Sequence, residues 1–260
     1  DTWTQTTNAV SEVMFQGMAT DQHGFNPVYM MAVSGARGSR EQIRQLEALH
    51  GSHWGAMGAV AEAFGLAYAQ NDDPSRAIDW YRRAVEAADG SASFKAAEQL
   101  GNLMARAGEL ADDAKPIEQA VTLLERVALL HGTVERESLL GSAHKRAALL
   151  HAKRRETAAE LASLRASATH YAQAEAQAQR SGADNLFYPA MNAIAVELRL
   201  ALAQRQPIVL DAQRVSALRR SLQAKAERDP DFWSVAGVGE LAMLEAMAAG
   251  RLAQVRDRVV

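Results

Sequence analysis

Seven histidines are the residues best suited to bind a metal or move a proton near neutral pH. His50 and His53 stand three apart, a spacing that sets two rings on one helical face, but Gly51-Ser52 interrupts them and no HExxH pattern surrounds them. Surface or capping positions are the simpler reading. His144 and His151 lie seven apart and read as residues packed along one face. Nucleophilic chemistry has less support still. The chain has no cysteine and no Gly-x-Ser-x-Gly turn, and Gly35-Ala36-Arg37-Gly38-Ser39 lacks the length and the lysine of a phosphate-cradling loop. Carboxylate pairs such as Glu135 with Glu137, or Asp112 with Asp113, suit the first turns of helices, where acids are favoured. No catalytic set, metal site or cofactor is therefore expected.

One cluster holds more promise for binding. His144-Lys145-Arg146 and Lys153-Arg154-Arg155 form the densest basic stretch, yet Glu156 and Glu160 follow and no aromatic surface interleaves to stack bases. A solvated turn is the simpler reading, and the partner the cluster would suit is a peptide carboxylate. The net charge of −3 gives no reason to expect nucleic acid or an anionic membrane. No apolar run approaches the roughly 20 residues of a membrane span, and no signal peptide opens the chain. A cytoplasmic protein is the expectation. The start at Asp1 and the end at Val260 fit a segment of a longer chain.

The elements that would position such residues are helical. Alanine, leucine, glutamate, glutamine and arginine dominate, whereas β-branched and aromatic residues are sparse. The best strand candidate, Ile208-Val209-Leu210 after Pro207, is short and reads as a loop entering a helix. From Met57 onward apolar residues recur three and four apart in blocks separated by short polar turns. Asp73-Pro74 caps a helix with the stripe Ile78, Tyr81, Val85 and Ala88, ended by Asp89-Gly90. Lys115-Pro116 opens another, closed by His131-Gly132. Leu139, Ala143, Ala147 and Leu150 mark the next. Helices then follow over Arg155 to Arg180, Pro189 to Gln204, Asp211 to Glu227 and Asp231 to Ala249. Before residue 55 the pattern is irregular, with helices expected over Trp3 to Gly17 and Ser39 to His50.

Within this grammar, Phe64-Gly65, Tyr68, Ala77, Tyr81 and Ala84 have the spacing of a tetratricopeptide repeat, which the chain resembles. Small residues let two helices approach and the aromatics fill the crossing. Leu100-Gly101 and Leu140-Gly141 repeat the apolar-glycine step, 36 and 40 residues on. Their second-helix signatures arrive late, as Ala120, Leu124 and Val127, then Ser167, Tyr171 and Ala174. The fourth unit has Tyr188, Met191 and Asn192 where glycine is expected. The resemblance implies an all-α fold: a right-handed superhelix, or TPR-like solenoid, of antiparallel helix pairs. An irregular cap would span residues 1–55 and the array 56–260, with units near 56–92, 93–133, 134–182, 184–228 and 231–260. Ser93 to Gly101 and Asp184 to Asn192 are similar to bacterial tetratricopeptide regions of longer signalling chains, some beside CHAT proteases.

The resemblance also implies a non-catalytic scaffold that holds a peptide or a neighbouring domain in a concave groove. By the family's pattern the groove positions of the second unit are Lys95, Glu98, Asn102 and Arg106, and those of the third are Ser138, Ser142, Lys145 and Arg146. Asn102 sits where the family's carboxylate clamp has an asparagine. Glu98 departs from the lysine expected there. The candidate binding residues are thus Lys95, Asn102, Arg106, Lys145 and Arg146. Two other readings stand beside this one: a regulatory or substrate-docking segment of a larger enzyme, and a small-molecule sensor built around Trp54, Trp80 or Trp233.

Overall fold

A computed structural model describes residues 40–182, 187–228 and 232–251. Its described residues form ten α-helices and no strand. The helix expected over Trp3 to Gly17, the loop at Gly35 to Ser39, and the side chains of His50, His53, Trp54 and Trp233 lie outside the described residues. Contacts divide the chain into two units within one helix, the first ending at Leu103 and the second beginning at Met104.

In the first unit, helix α1 (Arg40–Trp54) precedes the antiparallel pair α2 (Gly58–Gln70) and α3 (Pro74–Glu86). Asp73 caps α3 by accepting from the Arg76 amide, and Pro74 fills the first turn, where its missing N–H costs nothing. The helix stops at Glu86, three residues before the expected Asp89-Gly90. Those two serve the next turn instead: Gly90 takes φ +62°, and the Asp89 carboxylate accepts from the Gly58 amide at the start of α2. Ser91 Oγ accepts from the Ala59 amide beside it at 2.8 Å. Met57, the residue before α2, makes no side-chain cap, so the following turn supplies one.

The centre of this pair is one contact. A β-carbon on Gly65 would lie 2.8 Å from the Tyr81 ring, so only glycine lets α3 approach this closely. Ala77, Trp80, Tyr81 and Ala84 face inward from α3, and Phe64 and Tyr68 meet them from α2. The expected stripe of Ile78 and Val85 is displaced by one residue toward Trp80 and Ala84, because the tyrosine on Gly65 sets the rotation of the helix.

Helix α4 (Phe94–Leu110) carries the division between the units. The second unit continues with α5 (Ala114–Leu130), α6 (Val134–Lys153), α7 (Thr157–Ser181), α8 (Phe187–Ala203), α9 (Ala212–Arg228) and α10 (Phe232–Ala248). Asp113 caps α5 and Thr133 caps α6, while Gly182 ends α7 in the left-handed conformation at φ +64°. Ile208 to Leu210 form no strand and lead into α9. Ala120, Leu124 and Val127, the late signature of the second unit, are all buried.

The pair α6 and α7 repeats the contact of the first pair. A β-carbon on Gly141 would stand 2.8 Å from the Tyr171 ring, and the Ser167 hydroxyl donates to the Gly141 carbonyl at 2.7 Å. Of the expected α6 stripe, Ala143 and Leu150 are buried, while Leu140 and Ala148 replace Leu139 and Ala147, because α5, α7 and α8 all press on the helix. Ala148, Leu164, Tyr171, Ala193 and Val196 form one core, and α8, α9 and α10 close a second around Ile194, Leu218, Leu222 and Leu241.

Candidate functional site

Helix α6 aligns Ser138, Ser142, Lys145 and Arg146 at spacings of four, three and one, which keeps them on adjoining strips of its surface. Lys145 and Arg146 are each half-buried. The Lys145 ammonium donates to Asn192 Oδ1 of α8 at 2.7 Å and lies 5.7 Å from the centroid of the Tyr171 ring. Asn192 stands where the repeat pattern expects glycine. Its own amide nitrogen donates to the Tyr188 carbonyl, so its oxygen is turned toward the lysine.

Burial is the main force holding the Lys145 pKa below the ordinary lysine range, with Arg146 adding to it and Glu240 and Glu109 opposing. No carboxylate is paired directly with Lys145. An ammonium has three donors, and here one is used by a neutral amide oxygen. Arg146 pairs with the Glu109 carboxylate through Nη1, but its Nε is buried without a hydrogen bond.

Two buried hydroxyls of the α6–α7 pair are also unsatisfied, and one of them, on Tyr171, lies beside Lys145 and Arg146. Ser138 Oγ and Tyr171 Oη are buried and make no hydrogen bond. Ser142 and Tyr188 act on the Tyr171 hydroxyl, though neither stands in ordinary hydrogen-bond geometry, and burial pushes its pKa well up. Unpaired buried donors carry a desolvation cost of about 1–3 kcal/mol each. Two such groups, Arg146 Nε and Tyr171 Oη, beside an ammonium that has no carboxylate partner among the described residues, have the chemistry of a site for an anion.

Of the five expected binding residues, Lys145 and Arg146 belong to this cluster. Lys95 is exposed and Asn102 half-buried on the part of α4 that belongs to the first unit, and Arg106 is exposed on its remainder. Tyr171, Tyr188 and Asn192 were not among the expected residues. Their signal was present in the sequence as the tyrosine of the third second-helix signature and as the fourth unit's departure from glycine.

The same pair also holds two histidines. His144 stacks on His170 with centroids 5.5 Å apart and planes 5° from parallel. His170 Nδ1 lies 2.8 Å from a Glu137 carboxylate oxygen. Burial first, and His170 second, bring the His144 pKa down to about 4. The reading of His144 as a packed ring holds. His151 does not share that role, since its Nδ1 contacts Glu156 at 2.6 Å at the end of the helix. Among the described residues no helix is long and apolar enough to cross a membrane.

A polar cluster of another kind lies in the first unit. Glu47 of α1 accepts from the Tyr68 hydroxyl, from Arg76 Nη1 at 2.9 Å and from Trp80 Nε1 at 3.3 Å. Phe64 stacks on Trp80 at 4.5 Å, and the Arg83 guanidinium covers the same indole at 4.6 Å.

Comparison with known proteins divides the chain. Residues 73–198 match a family described as Tetratricopeptide Repeats-Sensor, and residues 1–53 match one described as RNA polymerase Rpb1, domain 4. The first stretch is similar to the DNA-directed RNA polymerase subunit beta' of Salinibacter ruber, 57% identical over 51 residues, covering 20% of this chain and 4% of that one. The same subunit of Leptospira biflexa is 57% identical over 49 residues, covering 19% of this chain and 3% of that one. That of Chlorobium phaeobacteroides is 55% identical over 51 residues, covering 20% and 3%. The chain thus spans 3% to 4% of the length of these curated relatives.

Proposed function

We propose, from the premise that this chain is a tetratricopeptide-like helical repeat protein, that its array recognises a carboxylate at the Lys145–Arg146 face of α6. Repeats of this kind suggest a protein-interaction or sensing domain. Each helix pair contacts its neighbours and leaves side chains along the stack available to a ligand. The observation that carries the finer reading is that Lys145, paired among the described residues only with an amide oxygen, lies against Tyr171 beside the unsatisfied Arg146 Nε and Tyr171 Oη. A carboxylate accepts up to about four hydrogen bonds and would satisfy several of these donors together.

Its source is the C-terminus of a peptide or a small carboxylic acid. The work done is capture by charge-assisted hydrogen bonds, with no bond made or broken. The polymerase-like first stretch does not alter this reading, because the cluster lies wholly in the second unit.

The test uses a library of labelled peptides with free or amidated C-termini, read by fluorescence anisotropy. Free-acid peptides are expected to bind and their amidated twins to bind at least about tenfold more weakly. Lys145→Met should remove that preference while leaving helicity intact, and Arg106→Glu should weaken binding further if the partner runs along α4. Competition by short free carboxylic acids would assign the sensing role instead. Equal binding of acid and amide overturns the proposal.

A further inference from the structure

Glu47 is held by three donors from two helices, one hydroxyl, one guanidinium and one indole N–H. Such convergence is how a carboxylate is recognised, and it is more than helix packing requires. Among the described side chains of α1, Ile43 is a buried apolar residue, while Leu49 is 71% exposed. Gly51 and Gly55 follow Glu47 at four and eight positions, and both lie against Trp80: β-carbons placed there would stand 3.4 Å and 3.0 Å from its ring. Small residues at that spacing let one ridge of the helix settle on the indole.

The clamp is also open to water, with the Arg76 and Glu47 side chains 40% and 29% exposed. Contacts of this kind open locally at low cost. The surface underneath is also braced from within the pair. Phe64 braces Trp80, Arg83 covers it, and both Tyr68 and Trp80 are fixed by the glycine-centred pair. Finally, Glu47 and Gly51 lie in the stretch that matches the polymerase family, whereas Arg76 and Trp80 lie in the stretch that matches the repeat family. The helix and its seat come from two different kinds of sequence.

We propose that the Tyr68–Arg76–Trp80 edge of the first helix pair is a docking site for a glutamate-bearing helix of a partner protein. The partner is recognised by one glutamate with small residues four and eight positions on, and α1 occupies the site in cis until such a helix displaces it. The site is separate from the Lys145 face and stands or falls without it.

The experiment uses the full chain and a labelled peptide of residues 40–55 as the probe, read by anisotropy. With α1 seated nine-tenths of the time or more, the wild-type chain should bind the probe about tenfold more weakly than a chain whose α1 is released. Glu47→Lys sets an ammonium against Arg76 and should release it, raising probe affinity by that factor. Adding Arg76→Glu restores the cis pair with reversed charge and repels the probe, so binding should fall back to the wild-type level or below. Glu47→Gln, a milder change, should give an intermediate gain, and circular dichroism on each variant keeps unfolding apart from loss of binding. Probe affinity unchanged by Glu47→Lys in a folded chain overturns the proposal. So does equal binding of a probe whose own glutamate is replaced by glutamine.

Discussion

The pairs α2–α3 and α6–α7 share one geometric device and use it to different ends. In each, a tyrosine ring lies on a glycine, Tyr81 on Gly65 and Tyr171 on Gly141. Three residues after the glycine stands Tyr68 in one and His144 in the other. One residue before the tyrosine stands Trp80 or His170. In the first pair Trp80 stacks on Phe64, and with Tyr68 it reaches a carboxylate from a third helix, Glu47. In the second pair, two imidazoles stack and His170 turns to Glu137 of its own partner helix. The first edge is therefore satisfied from outside the pair and the second from within it. Lys145 and the Tyr171 hydroxyl of α6–α7, by contrast, have no carboxylate partner among the described residues. The fixed glycine contact sets the helices, and the residues beside it decide which edge faces a partner.

The largest expected effect tests whether the device is shared. Gly65→Val and Gly141→Val each drive a side chain into a ring that backbone spacing holds in place. Each should cost about 3 kcal/mol in urea denaturation, at the upper end of overpacking penalties. Gly239 of α10 is the control, because nothing lies within 4 Å of a β-carbon built there. Gly239→Ala should be neutral or gain up to about 1 kcal/mol from helix propensity. If one of the two valine variants is tolerated, the pairs are not equivalent and the comparison fails.

The next effect separates the two edges by pH. The His144 pKa is depressed to about 4 in the fold, against an unfolded value near 6.5. A depressed histidine is held neutral, so its contribution is complete above about pH 6.5 and is lost as pH falls toward 4, where the unfolded chain has already taken the proton. The full shift overstates the effect for a ring that is only half-buried, and a loss of about 2 kcal/mol is expected between those limits. His144→Phe should flatten this part of the stability profile relative to wild type. Tyr68, at the matching place in the first pair, has a pKa pushed up to about 12 and does not titrate in that window. A chain as acid-sensitive with phenylalanine as with histidine would show that the stacked pair plays no part.

What could be read from the sequence follows from which features are local. Gly65 with Tyr81, and Gly141 with Tyr171, announced the helix pairs because close approach demands glycine and a filling ring. The cap Asp73 and the proline at Lys115-Pro116 act within a few residues, so the starts of α3 and α5 were placed within a residue or two, whereas the Thr133 cap of α6 was not read. Inward faces were less legible. The stripe of α6 was only half right, because three neighbours bury it and no single period describes such a helix. Lys145 and Arg146 were visible as a basic pair, but their partners Asn192 and Glu109 lie 47 and 37 residues away. The role of Glu47 was hidden for the same reason: its donors lie 21 to 33 residues on, across a junction between two kinds of sequence.

The smallest effect bears most directly on function, and its two arms have opposite signs. Tyr68→Phe removes a hydroxyl that donates to a carboxylate, and the loss should be about 1–2 kcal/mol, as for a hydrogen bond to a charged group. Tyr171→Phe removes a hydroxyl that is buried and unsatisfied, so the desolvation cost disappears with it. That variant should be as stable as wild type or more stable by up to about 1 kcal/mol, and the same substitution should weaken capture of free-acid peptides. A native protein keeps an unpaired buried donor at the expense of stability where a ligand uses it. Stability lost on Tyr171→Phe would mean that the hydroxyl already has a partner in the fold, and the α6–α7 edge would then be as closed as the edge beneath Glu47.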